Sequence, residues 1–263
     1  MPTERPIIEV PTPAEGWDHP WGNVAELAEV LTPEDWTLVG GLMVKTHAAL
    51  AGIPSVRTTI DIDMVVHLET ARDRAQRVHR TMTEFGYVLK SPHDLGSLSG
   101  TDHAHRYLRG DPKRGGDIVD VMRADHAAPR VIERLSGHSM LPIEGTTQAL
   151  RRTFNARMEL RKGETFLVSV PDAYGALILK AAAHMVDSRD RDRHLRDAVT
   201  LLACIDDPFA VAEKPAYQSD RRRLIHLQEQ LLDVNSTAWS VLEGDARDDA
   251  RANLLILIDA TAG

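Results

Sequence analysis

Between Trp36 and Val66 the chain runs WTLVGGLMVKTHAALAGIPSVRTTIDIDMVV, and inside it Asp61-Ile62-Asp63 sets two carboxylates within a run of β-branched and apolar residues. Two acids in a core strand repel each other and resist burial, so something must compensate them. Successive strand side chains alternate faces, so Asp61 and Asp63 share one face while Ile60, Ile62 and Met64 share the other. Parallel carboxylates at that spacing form a seat for hard divalent cations such as Mg²⁺. Upstream, Gly40-Gly41 lies between a strand and a helix, where free backbone N–H groups and the helix dipole attract phosphate. Metal and phosphate together suggest nucleotide chemistry.

A chain of 263 residues can bury a substantial core as one large domain or two smaller ones, and 43% hydrophobic with 27% charged residues is a globular composition. The formal net charge of −8 argues against a generic, whole-surface nucleic-acid binder. Basic clusters remain at 113–114, 151–152, 188–196 and 221–223, and such clusters are most often solvated faces. A single cysteine, Cys204 in the apolar run LLACI, excludes an intrachain disulfide, suits a reducing compartment and reads as a core residue. The N-terminal stretch lacks the layout of a signal peptide, and the longest apolar candidate, YGALILKAAAHMV, carries Lys180 in its middle, so a cytoplasmic protein without a membrane span is expected.

In order, residues 1–21 read as an extended, proline-punctuated arm, and NVAELAEVL as a helix. WTLV is a buried strand, LMVKTHAALAG a helix closed near Gly52, and TTIDIDMVVH the acid-bearing strand. ARDRAQRVHRTMTEFG is an amphipathic helix followed by a strand at YVLKS, a strand-helix alternation that marks an α/β core over residues 22–171. From His103 the pattern turns to hairpins: HAHRYLR, the turn GDPKRGG, then DIVDVMRAD, and later NARMELRKGETFLVSV. Asp117 and Asp120 are three apart on one strand and face opposite ways, so at most one can join the pair. Asp120, between Val119 and Val121, is the choice. Residues 172–263 read as a helical C-terminal domain.

A glycine pair before a helix, an Arg-x-Thr-x-Asp-Ile-Asp strand, an isolated strand acid in VDVM and a lysine in an Ala/Leu helix resemble the polymerase-β-like nucleotidyltransferase fold. More narrowly they resemble the AbiEii-type nucleotidyltransferase toxins of bacterial toxin–antitoxin pairs. The resemblance covers roughly residues 36 to 205 and implies a nucleotidyltransferase-type mixed sheet with flanking helices. It implies that Gly40 and Gly41 lie against nucleotide phosphates, that Asp61, Asp63 and Asp120 bind metal, and that Arg57 and Thr59 contact the nucleotide. Lys180 would reach the triphosphate, and Asp197 would match the acid of a downstream Arg/Lys-Asp-x-x-Asp-Leu segment. There the chain departs from the pattern, with His194 in place of the first acid and Ala198 in place of the leucine.

The implied reaction transfers a nucleoside monophosphate from an NTP to a hydroxyl, using Mg²⁺ or Mn²⁺. Paired metals held by Asp61 and Asp63 would neutralise the acceptor and the leaving pyrophosphate. Asp120 would bind one metal and could take the acceptor's proton. Lys180 and Arg57 would offset triphosphate charge. The resemblance implies an RNA acceptor, the tRNA 3′ end, and a cognate antitoxin protein. The same core can modify aminoglycosides or protein hydroxyls, and a non-catalytic nucleotide-binding module is the remaining alternative.

Overall fold

The computed structural model describes residues 5–54, 58–68, 73–91, 103–126, 134–135, 138–187, 190–214, 216–233 and 236–261. Two compact units divide the chain: Met1–Leu42, Arg57–Thr147 and Thr153–Val170 form one, and Met43–Val56, Gln148–Arg152 and Pro171–Gly263 the other. The expectation from sequence put one boundary near residue 171. The helical unit also takes in two earlier segments, so the division falls inside two helices.

The first unit is mixed α/β. In chain order its elements are β1 (Ile7–Val10), α1 (Trp21–Val30), β2 (Trp36–Val39), the start of α2 (Gly40–Ala51), β3 (Asp61–Val66), α3 (Arg74–Glu84) and β4 (Val88–Leu89). Then come β5 (His103–Ala104), β6 (Arg106–Arg109), β7 (Asp117–Ala124), β8 (Arg134–Leu135), β9 (His138–Met140), β10 (Pro142–Ile143), the start of α4 (Thr146–Leu150), β11 (Thr153–Arg161) and β12 (Glu164–Pro171). The central sheet has the order β2-β3-β7-β6-β4, with β10 also paired to β7. Its middle pair, β3 and β7, is parallel, and the β2, β6 and β4 pairings are antiparallel. Two three-stranded sheets, β1-β11-β12 and β5-β9-β8, accompany it.

Every residue of β2 is buried, as its continuous apolar run predicts for a strand covered on both faces. Helix α3 buries Ala75, Val78, Thr81 and Met82, a single stripe at helical spacing, and packs on β3. Both expected hairpins form, β6 to β7 and β11 to β12, the second turning at Gly163 with φ +79°. The N-terminal arm is extended at Ile7–Val10 and pairs in parallel with β11, so it belongs to a sheet. The β5-β9-β8 sheet has no counterpart in the sequence reading, because strands of two or three residues carry no periodicity to detect.

A buried chain of polar groups ties the N-terminus to β2, β3 and β12. Arg5 Nη1 donates to Ser169 Oγ at 3.0 Å, Ser169 Oγ and Thr37 Oγ1 lie 2.8 Å apart, and Thr37 Oγ1 is 2.7 Å from His67 Nε2. His67 Nδ1 lies 3.0 Å from the Glu34 carbonyl oxygen, which can only accept. The neutral tautomer with its proton on Nδ1 satisfies every link. Burial, helped by the positive charge of Arg5, pulls the His67 pKa down to about 4 from its usual 6.5. The unfolded chain therefore binds this proton at a pH where the folded chain does not. His67's contribution is complete above pH 6.5 and is lost as pH falls toward about 4. It should amount to about 3 kcal/mol across that window. Urea unfolding at stepped pH values should show that slope, and His67→Gln should flatten it.

The second unit is helical after Pro171, with α5 (Ala173–Val186), α6 (Arg191–Ala203), α7 (Pro208–Ala212), α8 (Gln218–Gln230) and α9 (Asp245–Ala260). Asp172 caps α5, its Oδ1 accepting from Gly175 N at 2.8 Å. Helix α5 is apolar almost all round and packs against both α6 and α8, the burial expected of a central helix. Cys204 is half-buried, and burial pushes its thiol up to about 12, which fits a core residue and not a nucleophile. Among the described residues no helix is long and apolar enough to cross a membrane.

Candidate active site

Strand register assembles the site. On the parallel pair β3–β7, Asp63 stands opposite Asp120, and on the antiparallel pair β7–β6, Asp120 stands opposite Arg106. In-register neighbours project to one face, so Asp63, Asp120 and Arg106 form a row across three strands, and Asp61, two residues before Asp63, joins it. One carboxylate oxygen from each of Asp61, Asp63 and Asp120 lies within 4.8 Å of the others. Asp120 is buried, whereas Asp61 and Asp63 are half-buried. Ile62 and Met64, on the opposite face, are fully buried, so the apolar side of β3 fixes which way the acids point.

Asp117 goes elsewhere, as strand alternation requires. Arg109 Nε donates to its Oδ2 at 2.8 Å, and His19 Nε2 lies 3.0 Å from its Oδ1.

Gly40 has a steric reason of its own. Val39 stands opposite Asp63 on β2–β3, so the next residue passes directly over that carboxylate. A Cβ at Gly40 would sit 1.8 Å from Asp63 Oδ2 and 2.5 Å from its Cγ, and the residue's φ is +67°. Only glycine has both the conformation and the clearance. Gly41 is buried in the first turn of α2. Gly40→Ala should push Asp63 out of place, weakening Mn²⁺ binding about tenfold or more. The strained backbone should add a stability loss of about 1–3 kcal/mol. Mn²⁺ titration and urea unfolding would measure the two effects separately.

Thr59 is buried and its Oγ1 has no hydrogen-bond partner among the described residues, which leaves the hydroxyl available to a ligand. The strand starts only at Asp61, so Thr59 lies just ahead of it. Arg57 lies outside the described residues. In the second unit, Lys180 on α5 and Asp197 on α6 are each other's partner, with Nζ and Oδ2 2.7 Å apart and side chains only 6% and 4% exposed.

The residue that the sequence reading missed is Arg106. Its Nε donates to Asp120 Oδ1 at 2.8 Å and its Nη2 to Oδ2 at 2.6 Å, a bidentate, charge-assisted pair. Hydrogen bonding to Asp120 raises its pKa, and the charges of Asp61 and Asp63 raise it further, so the guanidinium feels all three acids. A signal for it exists in the sequence. Arg106 and Arg109 before the turn mirror Asp120 and Asp117 after it, and both pairs are in register.

Three carboxylates without a thiolate or imidazole form a hard, all-oxygen donor set, which fits Mg²⁺ or Mn²⁺ better than zinc or copper. Asp61, Asp63 and Asp120 are the residues that would hold such an ion.

The chain matches no family model, and no curated protein matches it. Among solved structures, an antigenic nucleotidyltransferase-like protein from Paracoccidioides brasiliensis is similar at 17% identity, over 86% of this chain and 94% of that one, with a TM-score of 0.46. A likeness of that size assigns neither a family nor an activity to this chain.

Proposed function

We propose that this protein is a metal-dependent nucleotidyltransferase that moves a nucleoside monophosphate from an NTP to a hydroxyl. The observation that carries this reading is the convergence of Asp61, Asp63 and Asp120 from two parallel strands, with Gly40 closed against Asp63. Bound at the three carboxylates, divalent cations would neutralise charge developing on the acceptor and on the leaving pyrophosphate. Asp61 and Asp63 orient from one strand, held by the buried Ile62 and Met64 behind them. Asp120 would ligate from the neighbouring strand and take the acceptor's proton. The Thr59 hydroxyl is proposed as a hydrogen-bond donor to the nucleotide.

The resemblance to the AbiEii-type toxins extends the proposal to an RNA acceptor, the tRNA 3′ end, and to a cognate antitoxin. Arginines at 191, 193 and 196 and at 221 and 222 supply cationic groups of the kind that track phosphates, whereas Arg223 is buried against Asp220. The test is direct. Purified protein with Mg²⁺, total RNA and each labelled NTP should label a tRNA-sized band, and EDTA should remove the label. Label on an aminoglycoside or on protein, with none on RNA, would replace the acceptor and keep the chemistry. NTP binding with no transfer to any acceptor would instead identify a nucleotide-binding module.

A further inference from the structure

We propose that Arg106 competes with the divalent cation for Asp120. In the metal-free protein its guanidinium holds both Asp120 oxygens. It gives up at least one of them when Asp120 ligates the cation, and its freed N–H groups then take phosphate oxygens of the nucleotide. This rests on the reading of the three carboxylates as a metal seat.

The Asp120 side chain is 8% exposed, so water can do little for its charge, and Arg106 engages each of its oxygens at hydrogen-bond distance. A buried carboxylate without a cation would be costly, and Arg106 is the side chain that meets this need across the β6–β7 register. The ligand oxygens that would face a cation include one from Asp120, so metal ligation and the bidentate ion pair draw on the same atoms. Two partners sharing one site weaken each other by the same factor. Arg106 itself is 34% exposed and can move outward without opening the core. Its planar fork suits phosphate oxygens as well as carboxylate oxygens. Three carboxylates against one guanidinium leave excess negative charge for a cation. One divalent cation cancels that excess and a second turns it positive, which favours a polyphosphate beside Arg106.

The test uses the full chain and Mn²⁺ alone, with free Mn²⁺ followed by electron paramagnetic resonance. Arg106→Gln should bind Mn²⁺ about tenfold more tightly than the native protein, a coupling of ordinary size. Arg106→Lys, which keeps the charge and loses the fork, should fall between them, and it carries the same sign of prediction should Arg106→Gln not fold. In the Arg106→Gln/Asp120→Asn protein the tightening should vanish relative to Asp120→Asn alone. In the transfer assay Arg106→Gln should raise the KM for NTP despite its tighter metal. Unchanged or weaker Mn²⁺ binding in both Arg106 variants, or tightening that survives loss of Asp120, overturns the inference. Absence of transfer by the native protein, with the Mn²⁺ result as expected, overturns the catalytic reading and leaves the competition standing. No Mn²⁺ binding by any of the proteins overturns both.

Discussion

Asp63→Asn should lower nucleotidyl transfer about a thousandfold, roughly 4 kcal/mol of transition-state stabilisation. The protein's melting temperature should hold, or rise by about 2 °C. The two expectations come from one fact. Asp63 is the middle of a row of like charges, with Asp61 two residues away and Asp120 opposite in register. Asparagine keeps the shape beneath Gly40 and removes one of three repelling charges, so the metal-free fold loses none of its packing. The same change removes an anionic ligand from the seat, and an amide oxygen is a weaker donor to a hard cation. A thermal melt together with initial rates at saturating Mg²⁺ separates the effects. Transfer within tenfold of the native rate would show that Asp63 is not a metal ligand during turnover.

Lys180→Met should destabilise the second unit by about 3–5 kcal/mol, because it takes the lysine away from the buried Asp197 carboxylate. Lys180 and Asp197 hold α5 to α6 through a 2.7 Å ion pair with almost no exposure, so solvent can do little to replace either partner. Removing both charges, as in Lys180→Met/Asp197→Leu, should recover most of the loss, since a buried pair replaced by apolar groups of similar size is often neutral. Urea unfolding of the single and double variants gives the coupling energy. The double variant also separates roles. If it regains stability and transfer together, the pair is purely structural. If stability returns and transfer does not, Lys180 or Asp197 acts in the reaction as the resemblance implies.

Strand periodicity made much of the first unit legible. Alternation alone put Asp61 and Asp63 on one face and separated Asp120 from Asp117, and the structure keeps both assignments. Composition was enough for α5, because a long Ala- and Leu-rich run after a proline has few other outcomes. Registers left little trace beyond the mirrored arginines and aspartates of β6 and β7. Arg106 belongs to the site only because the β6–β7 hairpin closes so that it faces Asp120, and no single strand's pattern sets that pairing. The role of Gly40 was hidden for the same reason: its contact with Asp63 comes from the pairing of Val39, not from the glycine pair itself. Lys180 was read toward a triphosphate and Asp197 as the acid of a downstream motif, because sequence spacing cannot reveal that residues on successive helices have met.

Because the acids and Arg106 are aligned by pairing across strands, the site tolerates changes in length very unevenly. Residues added at the exposed Pro112–Arg114 turn lengthen a loop and leave each strand's alternation intact. One residue added between Ile118 and Asp120 turns Asp120 toward the face that Val119 and Val121 now fill, and takes it from Asp63 and Arg106 in the same step. Descendants of this chain are therefore free to diverge in the length of that loop, while the interval from Ile118 to Val121 is held to its present count.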